Sequence, residues 1–305
     1  MKIPCLASCA LLVLLLSIPG MAVASPTCPP EGWSTDSLRG LKAAGFVVAD
    51  GERRQRLALA LAPCLADPDP SLRDGIAFEA YSTWLRAGSL DQATRLELLQ
   101  QLLPAIAPGQ ADAGGFQQPF SALVLAELAR ADRKSPYLSP AQRQVLVEAA
   151  ASYLESVRDY RGYDPQAGWR HGVAHGSDLL MQLALNEALT KAQLDRILRA
   201  VSLQVAPPGD HFYVYGESER LARPVLFVAM RGLHSPEEWT AWFGQVASPA
   251  PLSGWDQAYQ SNAGLARRHN TRAFLLLVYS EIRDSKNENL ARLVPIVTAT
   301  LAKVP

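Results

Sequence analysis

Apolar residues recur at spacings of three and four along most of the chain. Three such stripes consist of Leu96, Leu99, Leu103 and Ile106; of Leu146, Ala150, Tyr153 and Val157; and of Leu194, Ile197, Val201 and Val205. This spacing places each set on one face of an amphipathic α-helix. Segments 120–129 and 179–185 are apolar on nearly all sides, which is typical of helices in an inner layer. The pattern therefore predicts outer amphipathic helices that alternate with inner apolar ones.

Capping residues mark where several of these helices begin. The spacing of a capping box occurs at the pairs Ser89/Gln92, Ser139/Gln142, Thr190/Gln193 and Ser235/Glu238. The predicted helices cover residues 34–45, 52–65, 70–87, 91–106, 117–131, 140–158, 172–188, 191–205, 218–232, 236–246, 257–283 and 287–302. The one strand-like stretch, residues 212–215, is too short and isolated to seed a sheet.

These elements predict an all-α protein. We expect more than about 60% of the residues to be helical, well above the usual third. Residues 67–74 (DPDPSLRD) resemble the turn and second-helix opening of a HEAT repeat, but the other helices show no constant repeat length. The predicted fold is therefore an irregular stack of antiparallel helical hairpins, a HEAT-like α-solenoid, and a closed α/α toroid is the alternative.

The first 24 residues have the features of a cleavable signal peptide. Lys2 precedes an apolar run over residues 6–18, and Ala22, Val23 and Ala24 supply the small-residue pattern that signal peptidase recognises. About 13 apolar residues are fewer than the roughly 20 that span a bilayer, which argues against an uncleaved anchor. The lipobox-like residues 6–9 precede the apolar run instead of following it, which argues against lipidation. We therefore expect residues 1–24 to be removed, residues 25–305 to form a single helical domain, and the mature protein to be periplasmic or secreted without a membrane association.

Cysteine usage agrees with export. Cys5 and Cys9 would leave with the signal peptide, so only Cys28 and Cys64 would remain. Two cysteines in an exported protein favour one disulfide bond between them. A buried free Cys64 with a loose Cys28 is the alternative. Neither arrangement supplies the clustered ligands of a zinc site.

The charge balance and the absence of known motifs in the sequence disfavour several classes of function. The chain has 29 basic and 29 acidic residues, so loss of Lys2 leaves 28 against 29 and a net charge of about −1. This balance does not favour nucleic acid or an anionic membrane as a partner. No Gly-x-Ser-x-Gly elbow, phosphate-binding loop or dinucleotide fingerprint is present in the sequence. We therefore expect no nucleotide or redox cofactor.

His171, His175 and Asp178 form the cluster most typical of a functional site. In a helix that begins near residue 171 they stand at i, i+4 and i+7, on one stripe. Two imidazoles four residues apart can chelate a divalent metal, and a carboxylate can complete three ligands. The other interpretation is a structural network in which His175 and Asp178 hydrogen-bond between packed helices. Both hypotheses remain open at this point.

Two long irregular connections, residues 159–170 and 206–216, lead into this region. Both are rich in Tyr, Trp, Gly and charge, and such loops often carry function. Candidate ligand-binding residues in and after them are Tyr163, Trp169, Arg220 and Arg223. Arginines one helical turn apart can bind a carboxylate or a sugar. Alternatively, Arg220 and Arg223 neutralise Asp178 or Asp74 inside the helical stack.

Helical hairpins bring successive loops to the same end of a stack. We therefore expect the two loops to meet beside the histidine stripe. The predicted pocket is bordered by His171, His175 and Asp178 and lined in part by Trp169, Glu217 and Arg220.

Four segments of the chain resemble a known protein family. They are residues 72–80, 120–127, 161–164 with 168–178, and 216–224. Together they are similar to an uncharacterised bacterial family catalogued as domain of unknown function 2785, over about residues 35–245. The resemblance implies a helical fold and carries no activity, substrate or cofactor.

Two functions of different classes remain. The first is a cell-envelope binding or scaffold protein that holds a peptide or glycan in a groove of the helical stack. The second is a hydrolase, with or without a bound divalent metal, that uses His171, His175 and Asp178, with Glu217 as a further catalytic candidate. The sequence does not decide between them, nor does it determine the oligomeric state.

Overall fold

The computed structural model of the protein describes residues 27–305. The expected signal peptide, residues 1–24, lies outside the described residues. Helices account for 65% of the structure, and the strands in the described part form one two-stranded sheet. The predicted all-α class and helical content are therefore confirmed.

The elements are numbered here in chain order. The α-helices are α1 Thr35–Ala43, α2 Gly51–Ala60, α3 Pro70–Leu72, α4 Glu79–Arg86, α5 Gln92–Leu102, α6 Gln117–Lys134, α7 Pro140–Ser156, α8 Gly172–Ala184, α9 Lys191–Val205, α10 Glu217–Met230, α11 Pro236–Val246, α12 Asn262–Ile282, α13 Glu288–Ala291 and α14 Val294–Leu301. The strands are β1 Tyr163–Asp164 and β2 Gly168–Trp169. Short 3₁₀ segments lie at Ala62–Ala66, Pro104–Ile106 and Trp255–Gln260, and a π-helical stretch, Arg73–Phe78, joins α3 to α4.

Three of the four predicted capping boxes are present. The capping boxes of α7, α9 and α11 form with Ser139, Thr190 and Ser235 as N-caps. The box predicted at Ser89 and Gln92 was wrong. The N-cap of α5 is Asp91, whose carboxylate accepts a hydrogen bond from the Thr94 amide at 2.7 Å. A carboxylate next to the helix also interacts favourably with the helix dipole, which explains why the start lies there.

The strand content differs from the sequence-based expectation at one place. Residues 212–215 seed no sheet, as expected, and the Tyr213 amide donates to the side chain of Asn270 at 2.9 Å. A hairpin that was not predicted forms between β1 and β2, where Tyr163 pairs with Trp169 and Asp164 with Gly168. This hairpin has no apolar alternation, so periodicity alone does not reveal it.

The longer helices pack in two layers. One layer is formed by α6, α8, α10 and α12, each packed against the next, and the other by α7, α9 and α11 in the same manner. α8 is buried without interruption from Gly172 to Leu180, whereas α7 buries one face around Leu146, Ala150 and Leu154. The predicted alternation of inner apolar and outer amphipathic helices is confirmed. One continuous cluster of buried apolar side chains extends from Leu38 to Val304.

No helix of residues 27–305 is long and apolar enough to cross a membrane.

The predicted disulfide bond is present. Cys28 is bonded to Cys64, with their Cα atoms 5.0 Å apart, within the normal range for disulfides. Cys64 lies in the 3₁₀ segment that follows α2 and is buried in the core, so the bond fastens the N-terminal arm to the core.

Loss of this bond should destabilise the fold. Cys28→Ser removes the bond and leaves the buried Cys64 thiol in place. For a sequence separation of 36, the chain-entropy model gives a loss of about 3 to 4 kcal/mol in the free energy of unfolding, measured by urea titration. Dithiothreitol should lower the free energy of unfolding of the wild-type protein to that of the variant, and it should leave the value for the variant unchanged. Equal unfolding midpoints for oxidised wild type and variant would contradict this prediction.

Candidate functional site

The connection between α7 and α8 carries the β-hairpin on a tight turn. The Asp164 carboxylate accepts hydrogen bonds from the amides of Gln166 at 2.9 Å and Ala167 at 2.7 Å, which closes the turn. Gly168 follows with φ +73°, and a Cβ atom there would lie 3.0 Å from Nη2 of Arg73. A glycine is therefore required at this position for both its backbone conformation and its close approach to Arg73.

Arg73 holds the hairpin in place through its side chain. Its side chain is completely buried, and Nη2 donates to the carbonyl oxygen of Ala167 at 2.8 Å. Nη1 donates to the carbonyl oxygen of Asp67 at 2.9 Å, and Nε lies 2.7 Å from the Asp74 carboxylate. The guanidinium carbon also lies 4.0 Å from the centroid of the Phe116 ring. The edge of the guanidinium group thus faces groups that compensate its charge, and its flat face packs on an aromatic ring.

His171 stands at the N-terminus of α8 in the left-handed conformation, with φ +61°. Its Nε2 lies 2.9 Å from the carbonyl oxygen of Tyr215, so this nitrogen carries the proton and donates. Burial lowers the pKa of His171, which keeps the ring neutral and leaves Nδ1 as an acceptor. The imidazole stacks on the indole of Trp169 with centroids 4.5 Å apart. His171 therefore joins the hairpin to the second irregular loop.

The loop before α10 lies directly against the first loop. The Tyr215 ring rests on Gly162, where a Cβ atom would collide with the ring. The Tyr215 amide donates to the Glu217 carboxylate at 2.8 Å, and His211 stacks on Tyr160 with centroids 5.0 Å apart. The expectation that the two irregular loops meet is confirmed by these contacts.

Four rings at this junction form what we call the aromatic cluster: Tyr163, Trp169, His171 and Tyr215. The Trp169 ring centroid lies 5.2 Å from that of Tyr163 and 5.9 Å from that of Tyr215. Tyr163 is 52% exposed, and Trp169 and Tyr215 are each 37% exposed. Large aromatic side chains that remain exposed although they pack on one another are typical of binding surfaces.

An open cavity of about 510 Å³, which we call the loop groove, adjoins the aromatic cluster. Its lining residues are Arg158, Asp159, Tyr160, Arg161, Gly162, Tyr163, Asp164, Arg170, His211 and Tyr215. Nε2 of His211 is buried and has no hydrogen-bond partner in the described part of the chain. A volume in the range of roughly 300 to 1,000 Å³ is typical of small-molecule sites.

His175 is buried below the aromatic cluster. Its Nδ1 lies 3.2 Å from the carbonyl oxygen of Pro119 and therefore carries the proton. The ring packs edge-on against Phe120, with centroids 5.2 Å apart, and lies 5.7 Å from the His171 ring. Burial, together with the neighbouring His171 and Arg220, lowers the pKa of His175 to about 3. This imidazole is therefore neutral at any physiological pH.

Asp178 continues the same stripe and forms an ion pair with Arg220 of α10. Burial raises the pKa of Asp178 to about 6, which the pairing with Arg220 only partly offsets. Arg223 pairs with Glu219 on its own helix and lines a separate groove between α10 and α12. The interpretation that Arg220 neutralises Asp178 is thus supported.

The metal hypothesis finds no support in these positions. Within residues 27–305, no group of three or more His, Cys, Asp or Glu side chains is placed so that it could hold a metal ion. His171, His175 and Asp178 do share one stripe, but each directs a polar atom to a different partner: the Tyr215 carbonyl, the Pro119 carbonyl and the Arg220 guanidinium. Glu217 is buried and accepts the Tyr215 amide, so its carboxylate holds the loop.

The two loops were predicted from the sequence, but most residues of the loop groove were not. The pocket expected beside the histidine stripe was placed wrongly, because none of the six residues predicted to border or line it lines the loop groove. Among the predicted ligand-binding residues, Tyr163 lines the groove and Trp169 contacts its wall. Arg158, Arg170 and His211 were not predicted. The composition of the two loops was the only feature of the sequence that pointed to them. Composition does not show which arginine remains without a carboxylate partner after folding.

The comparisons with known proteins add one family relationship. Residues 102–279 match the family model described as "Protein of unknown function (DUF2785)". This match includes α6 to α10, both loops, the aromatic cluster and the loop groove. No curated protein and no solved structure matches the chain.

The pKa shifts of His175 and Asp178 predict opposite effects on stability. Unfolded histidine binds a proton below about pH 6.5, whereas folded His175 does so only near pH 3. Its contribution to stability is therefore lost as the pH falls from 6.5 towards 3. Unfolded aspartate titrates near pH 3.9 and folded Asp178 near 6. Its contribution is present below about pH 4 and is lost as the pH rises through 6.

Single variants should reveal each contribution. In Asp178→Asn, the free energy of unfolding should rise more steeply between pH 4 and 6 than in the wild-type protein, because only the histidine effect remains. In His175→Gln it should rise less steeply or fall. Each slope should change by at most about 1.4 kcal/mol per pH unit, the value for one proton. Urea titrations at several pH values measure these slopes, and equal slopes in the three proteins would rule out both shifts.

Proposed function

We propose that this chain, which belongs to the DUF2785 family of proteins of unknown function, is a cell-envelope binding protein whose ligand is a glycan or a peptide. The observation that carries the proposal is the aromatic cluster beside the loop groove. Three mutually packed aromatic side chains remain partly exposed next to an open cavity with charged walls. Such a combination of apolar faces and a few polar groups is typical of ligand sites.

The support of the site by rigid elements favours binding. The hairpin is held by buried Arg73, and the second loop is held by Glu217 and by Asn270, which accepts the Tyr213 amide at 2.9 Å. A pre-organised site loses little conformational entropy when a ligand binds.

The hydrolase hypothesis has weaker support. A general base for neutral pH needs a pKa near 7, whereas burial lowers that of His175 to about 3. Asp178 has a pKa of about 6 but is held by Arg220. The hydroxyl of Ser177, the residue before Asp178, donates to the Val173 carbonyl at 2.7 Å and is not paired with an imidazole.

A location in the cell envelope is part of the same proposal. The expected signal peptide and the Cys28–Cys64 bond both favour an oxidising compartment outside the cytoplasm. The sequential packing of α6, α8, α10 and α12 also favours a HEAT-like α-solenoid over a closed toroid, with the loops presented at one end.

Removal of the central indole should weaken ligand binding and leave the fold intact. Trp169 contacts Tyr163, His171 and Tyr215, so Trp169→Ala should lower the affinity for the ligand at least about tenfold, as at interface hot spots. Arrays of envelope glycans and of short peptides identify a binder, and isothermal titration calorimetry measures its affinity.

Tyr259→Ala is the matched control, because Tyr259 is a 57% exposed aromatic residue outside the aromatic cluster. It should bind as the wild-type protein does. Binding by Trp169→Ala that equals wild-type binding, or no binding of any array member by the wild-type protein, would refute the proposed function.

A further inference from the structure

We propose that the loop groove recognises a carboxylate on a sugar ring, so that the ligand is an acidic glycan. This inference rests on the proposed binding function and specifies its ligand class. It depends on Arg158 and Arg170, two arginines of the groove wall that lie outside the histidine stripe.

Neither arginine forms an ion pair with a carboxylate in the described structure. Arg158 is exposed, and its Nη1 donates to the backbone carbonyls of Glu155 at 2.9 Å and Val157 at 2.6 Å. Arg170 donates from Nε to the Gly114 carbonyl at 2.8 Å, and its guanidinium lies 4.4 Å from the Phe116 ring centroid. Both side chains are thus held in place by hydrogen bonds to neutral carbonyl groups. The charge of Arg170 also helps to lower the pKa of Asp159 and of Asp164, without an ion pair to either.

The two acidic residues of the groove already accept hydrogen bonds from other groups of the protein. Asp159 accepts two hydrogen bonds from Nε of Arg161, at 2.9 and 3.0 Å. Asp164 accepts the turn amides of Gln166 and Ala167. With three arginines and two aspartates, the wall has one excess positive charge. An arginine held in this way can donate to a carboxylate with little loss of side-chain freedom.

The remaining wall favours a sugar over a peptide. The exposed faces of Tyr163 and Tyr215 offer flat apolar surfaces on which the C–H bonds of a sugar ring can pack. The strands at this site are only two residues long, which is too short an edge for an added peptide strand.

The test compares acidic sugars with their neutral counterparts on the full mature chain. The probes are trigalacturonate, a disaccharide containing N-acetylmuramic acid, and sialyllactose, each paired with its carboxyl methyl ester. At least one acid should bind about tenfold or more tightly than its ester, the value of a charge-assisted hydrogen bond. Raised salt should reduce that difference. The ester comparison needs no protein variant and therefore no assumption about folding.

Protein variants then locate the carboxylate. Arg158→Gln and Arg170→Gln should each lower the affinity for the acid about tenfold and leave that for the ester unchanged, whereas Arg292→Gln, at a 70% exposed arginine outside the groove, should change neither.

Equal affinity for every acid and its ester would overturn the carboxylate proposal and leave the binding function intact. Binding of peptides alone would overturn the glycan assignment in the same way. No binding by any glycan or peptide would overturn both proposals.

Discussion

The guanidinium of Arg73 has no exposed surface, and a buried cation is stable only when its donors and its charge are satisfied by the protein. The Asp67 and Ala167 carbonyls accept hydrogen bonds from its two Nη atoms, and the Asp74 carboxylate beside Nε balances its charge. The Phe116 and Phe120 rings cover its faces. These partners come from the turn before α3, the hairpin and the start of α6. Burial of one charge therefore constrains three separate parts of the chain to a single arrangement.

From Arg73, contacts continue to the candidate site without a break. Phe120 packs on His175, His175 on His171, and His171 on Trp169. Both imidazoles are kept neutral by burial and each donates to a backbone carbonyl, so they position the loops. The same contacts leave Tyr163, Trp169 and Tyr215 partly exposed. The adjoining wall contains Arg158 and Arg170, which form no ion pair within the described part of the chain. A rigid histidine-supported platform beside a basic groove is the physical basis for assigning a binding function.

The helices and the position of the stripe at His171, His175 and Asp178 could be predicted, because helical periodicity and capping are local properties of the sequence. The Cys28–Cys64 bond could be predicted because only two cysteines follow the expected cleavage site. The roles of the charged groups could not. Arg220 meets Asp178 across 42 residues of sequence, whereas Arg170 has no carboxylate partner within residues 27–305. Arg170 ends one irregular loop and Arg220 follows the other, and the two loops have similar compositions. Pairing of this kind depends on tertiary contacts, and the hairpin depends on Gly168 and Arg73, which are far apart in the sequence.

The central claim is that buried Arg73 holds the loop that carries the site, and amide hydrogen exchange in Arg73→Lys tests it most directly. Lysine keeps the charge but cannot donate to both carbonyls while stacking on the rings. The amides of Arg170 and His171 donate to the carbonyls of Gly162 and Arg161, and they should exchange at least about tenfold faster in the variant than in the wild-type protein. The exchange rates of the α9 amides should change much less. Unchanged protection at Arg170 and His171, or a uniform loss of protection in both regions, would contradict the account.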